Sequence, residues 1–275
     1  MQLSIFSDEI NRTDPTRALD FARQWGVHYI EVRSLPQGRF PAPDATALAA
    51  FHQQVQDAGL QVSAVSPGFC KCPVDDPSIA SILATELPRA CDWAQRWGTD
   101  LVSLFAFRRG AEKDVPEQVI DRLGQMAEIT SRYGCRPVLE NEAGCWGGTG
   151  TQAAQIIRQV GTDKLKLCWD PGNAARAGAA RPFPDEYAQL KDLVAHVHLK
   201  NFDPATNSWS LIEKGTVDWP GQLAALKADG YSGHIVVETH LGERDADLTD
   251  YHPELAGLEA NTRRNLDYLQ SLLKA

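Results

Sequence analysis

Long apolar runs are missing from this chain: none approaches the ~20 residues that a membrane-spanning helix needs. Basic charge is also scarce. The 275 residues carry 27 Lys and Arg against 36 Asp and Glu, a formal net charge of −9. Phosphate neutralisation needs clustered cations, so this balance argues against a nucleic-acid surface. The first residues, Met1 to Glu9, lack a basic region and reach acid early, which predicts no signal peptide and a cytoplasmic protein. Zinc-ribbon and C-x-x-C spacings are absent among the cysteines (Cys70, Cys72, Cys91, Cys135, Cys145, Cys168), which read as reduced thiols. Cys70-Lys71-Cys72, the one close pair, reads as a loop. No linker, low-complexity stretch or change of composition divides the chain, so residues 1–275 read as one domain. Its 43% hydrophobic and 23% charged residues are ordinary for a globular protein of this size.

What is present is an alternation. Strand-like runs of four to six residues are separated by amphipathic helical stretches throughout. Leu3-Ser4-Ile5-Phe6 reads as the first strand. Asp14-Pro15 then opens a helix, a capping residue followed by Pro at the first helical position, and Gly26 stops it. The pattern continues with strands at 28–32, 61–65 and 101–105 and helices over 44–58, 77–97 and 115–133. Four more units follow, with helices at 149–160, 185–190, 219–228 and 255–273. Eight strand–helix units in roughly 250 residues is the count of a (β/α)₈ TIM barrel in the α/β class. A doubly wound sheet usually carries a Gly-rich phosphate turn after its first strand, and here Phe6 is followed by Ser7-Asp8-Glu9-Ile10.

Four of the later strands end in metal-capable side chains. Pro137-Val138-Leu139 runs into Glu140-Asn141-Glu142, and Leu165 to Trp169 runs into Asp170-Pro171-Gly172-Asn173. Val194 to Val197 runs into His198-Leu199-Lys200-Asn201, and His234 to Val237 into Glu238-Thr239-His240. In a barrel, residues at the C-terminal ends of strands converge on one pocket. Three carboxylates and one imidazole form a hard ligand set suited to Mn²⁺ or Mg²⁺, with Co²⁺ or Zn²⁺ also accommodated. Burying three carboxylates together without a cation forces protonation or pairing of each. Glu140, Asp170, His198 and Glu238 are therefore the candidate metal ligands.

The chain resembles the xylose-isomerase-like barrel family, which contains sugar and sugar-phosphate isomerases and epimerases, endonuclease-IV-type enzymes and some dehydratases. The resemblance rests on Phe6-Ser7-Asp8-Glu9, Tyr29-Ile30-Glu31-Val32-Arg33, Val138-Leu139-Glu140-Asn141 and Leu167 to Asn173. It extends through His196-Val197-His198-Leu199-Lys200, Gly215-Thr216-Val217-Asp218-Trp219 and Gly233 to Glu238, nearly the whole chain. It implies Glu140, Asp170, His198 and Glu238 as ligands of one metal, with Glu140 and Glu238 also serving as catalytic acid and base. The implied reaction is isomerisation or epimerisation of a ketose or sugar phosphate through a metal-stabilised enediolate. The resemblance also implies a homodimer or homotetramer. The expected partner is a small sugar or polyol-derived substrate, with neither nucleic acid nor membrane.

Further candidates are substrate contacts. Lys200 points to the same rim as His198 or is a solvated strand-end charge. Glu142 and His240 lie two residues past proposed ligands and face the same side by strand alternation. Asn173 stands where many family members place a substrate-binding His, and Asn201 where an Asp is frequent. Trp146 and Phe69, in loops, are candidates for stacking on a sugar face or for packing. Arg108-Arg109 meets an anionic substrate or is an exposed charge pair. Glu31 is expected to order the pocket from behind. Three other readings stand beside the isomerase. A dehydratase of a keto-cyclitol or keto-polyol, such as inosose or 3-dehydroshikimate, shares its first chemical step. An abasic-site endonuclease disagrees with the acidic charge and with only seven histidines. A non-catalytic sugar-binding barrel leaves the paired glutamates without a purpose.

Overall fold

The computed structural model describes residues 1–274. Eight parallel strands close into a barrel: β1 Gln2–Phe6, β2 Tyr29–Val32, β3 Gln61–Val65, β4 Leu101–Leu104, β5 Arg136–Glu140, β6 Lys166–Trp169, β7 Val194–Leu199 and β8 His234–Val237. Each strand pairs with its neighbours in sequence, and β1 closes on β8 with Gln2 opposite His234 and Ile5 opposite Val237. Parallel neighbours need crossovers, and the outer helices supply them. These are α1 Pro15–Gln24, α2 Ala45–Asp57, α3 Leu87–Arg96, α4 Glu117–Arg132, α5 Gly150–Val160, α6 Tyr187–Leu190, α7 Trp219–Ala228 and α8 Gly257–Lys274. The expected single-domain (β/α)₈ barrel is the fold. Among the described residues no helix is long and apolar enough to cross a membrane.

Helix starts follow their capping chemistry. Asp14 accepts a hydrogen bond from the Arg17 amide at the head of α1, and Asp218 one from the Gly221 amide at the head of α7. Thr149 and Gln152 form a reciprocal capping box on α5, which ends at Gly161 in the left-handed conformation. The strands are buried on both faces, against the barrel interior and against the helices. Every residue of β4 is buried, Ser103 included, which is why the strand shows no apolar–polar alternation.

Two elements depart from expectation. The helix read over 77–97 is three pieces: Ser78–Ser81, a π-helical turn Ile82–Glu86, and α3. Pro88 has no amide hydrogen for the usual bond to the fourth residue before it, and the ladder widens so that Leu87 N–H reaches Ile82 O. Strand six stops at Trp169 rather than Asp170. Asp170 instead caps an additional short helix, Pro171–Arg176, through the Asn173 amide.

Gly150, at the first turn of α5, packs against β6 and α6. A Cβ there would lie 2.2 Å from a Trp169 ring carbon and 2.5 Å from Leu190 Cδ2. Gly150→Ala is therefore expected to lower unfolding free energy by about 1–3 kcal/mol through overpacking. Urea denaturation checks this, and an unchanged midpoint would contradict the packing described.

Candidate metal centre

The C-terminal ends of β5 to β8 meet at the mouth of the barrel. Glu140 is the last residue of β5, His198 lies near the end of β7, and Asp170 and Glu238 follow β6 and β8 directly. One donor atom from each of the four lies within 4.8 Å of the other three, and all four residues are buried. His198 Nδ1 faces the acids, 3.4 Å from Glu140 Oε1 and 3.6 Å from Glu238 Oε2. Its Nε2 lies 3.2 Å from Glu31 Oε1, and Glu31 Oε2 lies 2.7 Å from His196 Nε2. The Ser66 hydroxyl donates to the same Glu31 carboxylate. Burial works against the Glu31 charge, but the His198 and His196 imidazoles outweigh it and hold its pKa well below the ordinary value. An ionised Glu31 accepting from Nε2–H assigns the tautomer of His198 and aims Nδ1 at the acids.

This arrangement fits a divalent ion. His198 Nδ1 and Asp170 Oδ2 are buried and have no hydrogen-bond partner among the described residues. Burial pushes the Asp170 carboxyl up to about 6 even with the Lys200 ammonium beside it. For His198, burial disfavours the imidazolium, but the surrounding negative charge outweighs it and raises the pKa well above the ordinary value. A cation among the four donors removes both problems, and a nitrogen–oxygen set backed by a carboxylate on the histidine suits one.

Lys200 is no solvated charge. Its side chain is 2% exposed, and Nζ lies 2.6 Å from Glu238 Oε2 and 2.8 Å from Asp170 Oδ2. The second contact is an ion pair outside hydrogen-bonding geometry, so Asp170 Oδ2 faces a cation without accepting a hydrogen bond. Gly172 makes room for the stem, since a Cβ there would lie 2.8 Å from Lys200 Cγ. On the other side of Glu238, Arg33 joins three acids. Its Nη1 donates to Glu238 at 2.7 Å, Nε to Asp8 at 2.9 Å and Nη2 to Glu9 at 2.5 Å. Glu9, Glu238 and His240 also cluster closely enough to hold an ion. The Arg33 guanidinium already supplies positive charge to two of them.

A cavity of about 590 Å³ opens over Glu140 and Glu238, a size that suits a small-molecule ligand. Glu142, Asn173 and His240 line it as the sequence suggests. Asn173 Nδ2 donates to Glu140 Oε1 at 3.1 Å, and Lys71 pairs with Glu142 at 3.1 Å. His240, at φ +55°, places Nε2 3.0 Å from Glu238 Oε1. Burial opposes its charge, but Glu238 prevails and pushes its pKa up to about 8.

Other candidates lie elsewhere. Trp146 is buried outside this cavity and borders a separate cleft with Arg109 and Lys113, so it does not meet a ligand held over Glu140. Phe69 is buried and does not line the cavity either. Arg108 reaches only the Lys71 carbonyl. Asn201 is a fastening: Nδ2 donates to Ile212 O and Val217 O while Oδ1 accepts from the Val217 amide. An Asp could not make the two donations. Sequence reasoning assigned no role to Asp8, Glu9 and Arg33, although the strand-end rule applied to β1 and β2 points to them. It also missed Trp209, which a hairpin of Asn201–Asp203 and Ser208–Ser210 carries to the cavity, 5.2 Å from the His240 ring.

Residues 19–272 match the family described as xylose isomerase-like TIM barrel. The chain belongs to that family. A xylose isomerase-like TIM barrel protein from Mycobacterium smegmatis in complex with magnesium superposes with a TM-score of 0.71 at 21% identity, covering 100% of this chain and 96% of that one. A D-psicose 3-epimerase with D-tagatose from Clostridium cellulolyticum gives 0.76 at 14% identity, covering 99% of each chain. A probable 3-DHS dehydratase involved in petrobactin synthesis from Bacillus anthracis gives 0.73 at 16%, covering 96% and 98%. At these identities the likeness concerns the fold. A curated relative, an uncharacterised protein of Methanocaldococcus jannaschii, is 27% identical over 119 residues, 42% of this chain and 41% of its own length.

Two outcomes follow from this xylose isomerase-like site. Glu31→Gln, which leaves His198 without its anionic acceptor, is expected to weaken Mn²⁺ binding about 10–100-fold. Calorimetric titration reads this, and wild-type affinity would contradict the role given to Glu31. In metal-free protein, the His240 ring is expected to titrate near pH 8, and in Glu238→Gln nearer its ordinary 6.5. A raised folded-state pKa means that the pairing stabilises the protein below about 6.5 and that this stabilisation is lost as pH rises through about 8. Histidine proton NMR resolves the shift, and equal midpoints would contradict the coupling.

Proposed function

We propose that this chain is a divalent-metal-dependent isomerase or epimerase acting on a ketose or a sugar phosphate. The observation that carries the reading is the pair Glu140 and Glu238, two buried carboxylates from opposite ends of the β5–β8 arc, facing one cavity and sharing one histidine. Likeness to a ketose 3-epimerase fold supports it. Glu140, Asp170, His198 and Glu238 would hold Mn²⁺ or Mg²⁺, with Co²⁺ or Zn²⁺ as substitutes, and the ion supplies electrophilic stabilisation of the charge that develops on the substrate carbonyl oxygen.

Proton movement belongs to the glutamates. Their surroundings make them unequal. Burial works against the charge of both, but Lys200, His240 and His198 hold the pKa of Glu238 well below the ordinary value, and Arg33 Nη1 lies 2.7 Å from it as well. Glu140 has His198 and the neutral Asn173 amide, and its pKa is lowered as well. With less cationic company, Glu140 is the better base for taking the proton from the carbon beside the carbonyl. Glu238 returns a proton from the other side, with His240 Nε2 3.0 Å away to resupply it. Asn173 orients Glu140, and Arg33 orients Glu238.

The same first step serves a dehydratase, and His240 favours this second reading. An imidazolium beside the cavity is placed to protonate a departing β-hydroxyl, so that water leaves and a carbon–carbon double bond forms. A nuclease with several ions is disfavoured, because the Arg33 guanidinium lies among Asp8, Glu9 and Glu238.

The reading is tested in D₂O with Mn²⁺-loaded protein and a panel of ketoses, keto-cyclitols and 3-dehydroshikimate. Deuterium is expected at the carbon beside the carbonyl, and chelation is expected to abolish it. The product then separates epimerase, isomerase and dehydratase. Glu140→Gln and Glu238→Gln are each expected to slow turnover by about 10²–10⁴-fold, with Mn²⁺ content measured alongside. Near-full activity in either variant removes that glutamate from proton transfer.

A further inference from the structure

The cations around the cavity fall into two groups. Arg33, Lys71 and Lys200 are taken up by carboxylates inside the protein. Arg12, Arg39 and Arg176 line the same cavity, yet none of the three forms an ion pair among the described residues. Arg176 lies over the Trp209 ring, its guanidinium carbon 5.2 Å from the centroid.

Arg39 is held without a countercharge. It ends a two-stranded hairpin, Ser34–Leu35 with Gly38–Arg39. Its Nε donates to Pro67 O at 2.9 Å and its Nη2 to Ser66 O at 3.0 Å, both backbone carbonyls. The guanidinium lies directly on Gly68, where a Cβ would sit 2.4 Å from Arg39 Nε and 2.7 Å from Cζ. Gly68 also holds φ +78°, so the position is reserved for glycine twice over. Two carbonyls therefore occupy one edge of the guanidinium. The end edge, formed by Nη1 and the second Nη2 hydrogen, is left free on an exposed residue, in the fork that pairs with two oxygens of one anion. Ser66 links this shelf to the metal centre, since its carbonyl holds Arg39 and its hydroxyl bonds Glu31. Ordering a flexible arginine against a glycine costs rotamer entropy, and no carboxylate among the described residues pairs with it to offset that cost. Preorganisation of this kind lowers the cost of binding an anion.

We infer that the substrate of this cavity carries an anionic group, a carboxylate or a phosphate, and that Arg39 reads it, with Arg176 as the second cation. The inference rests on the cavity being the substrate site, and it selects among substrates that the enediolate chemistry leaves open.

The test is calorimetric binding to the full chain in Mg²⁺, using D-allulose as the neutral probe and D-allulose 6-phosphate and 3-dehydroshikimate as anionic ones. At least one anionic probe is expected to bind tenfold or more tightly than D-allulose, and which one does so identifies phosphate or carboxylate. Arg39→Met is expected to shrink that preference to within twofold. Gly68→Ala keeps the charge but displaces the guanidinium from its shelf, and it is expected to lose most of the preference too. A charge acting only at long range would not respond to Gly68→Ala. Equal binding of all three probes, or no binding of either anionic probe, overturns the inference. So does a preference that survives both substitutions. The preference among probes does not depend on which reaction follows, so its failure leaves the enediolate reading standing. Arg39-dependent anion binding with no solvent exchange on any probe does the reverse.

Discussion

Glu31, Glu140, Asp170 and Glu238 are buried together at one end of a barrel, and the rest of the site follows from the positive charge they require. Carboxylates in a dry, shared volume repel one another and lose hydration, so each needs a proton, a paired cation or a metal. The chain supplies cations in layers. His196 and His198 flank Glu31, Lys200 spans Asp170 and Glu238, and Arg33 binds Glu238 from the far side together with Asp8 and Glu9. What remains is the space that His198 Nδ1 and Asp170 Oδ2 face, two buried atoms without hydrogen-bond partners among the described residues, the second answered only by its ion pair with Lys200. The donor set around that space is what makes a divalent ion the natural complement.

The same charge pattern divides the cavity by function. Inside it, every cation answers an anion of the protein, which fixes side chains and holds the glutamates ionised. Toward the outside, Arg12, Arg39 and Arg176 carry charge that no ion pair among the described residues takes up. In the proposed function, chemistry at the inner end and recognition at the outer end would fall to different sets of residues, joined through Ser66 and Glu31. This is the division expected where one barrel serves many substrates by changing loops while keeping its strand ends.

Much of this was legible in the sequence, for a physical reason. Strand ends are predictable from short apolar runs, and a barrel sends all of its strand ends to one place. That reasoning brought Glu140, Asp170, His198 and Glu238 together across nearly a hundred residues of chain. It failed where position depends on loops. Trp146 follows the end of β5 by six residues where Glu142 follows it by two, and the turn at Gly144 carries it into a different cleft. Trp209 and Arg39 sit on small hairpins with no periodicity to mark them. The burial of Lys200 between Asp170 and Glu238 is not legible in the sequence, because nothing local shows that Gly172 opens a passage for its stem. The π-helical turn before Pro88 likewise reads as plain helix, since helical periodicity survives a single widened turn.

In the proposed function a single divalent ion completes the four-residue centre, while Arg33 keeps a second ion from the neighbouring acids. Anomalous diffraction from crystals grown in Mn²⁺ tests it most directly. One peak is expected, bonded by Glu140, Asp170, His198 Nδ1 and Glu238, with Arg33 still in contact with Asp8, Glu9 and Glu238. No peak in that space, or a peak among Glu9, Glu238 and His240 with Arg33 displaced, would contradict the account.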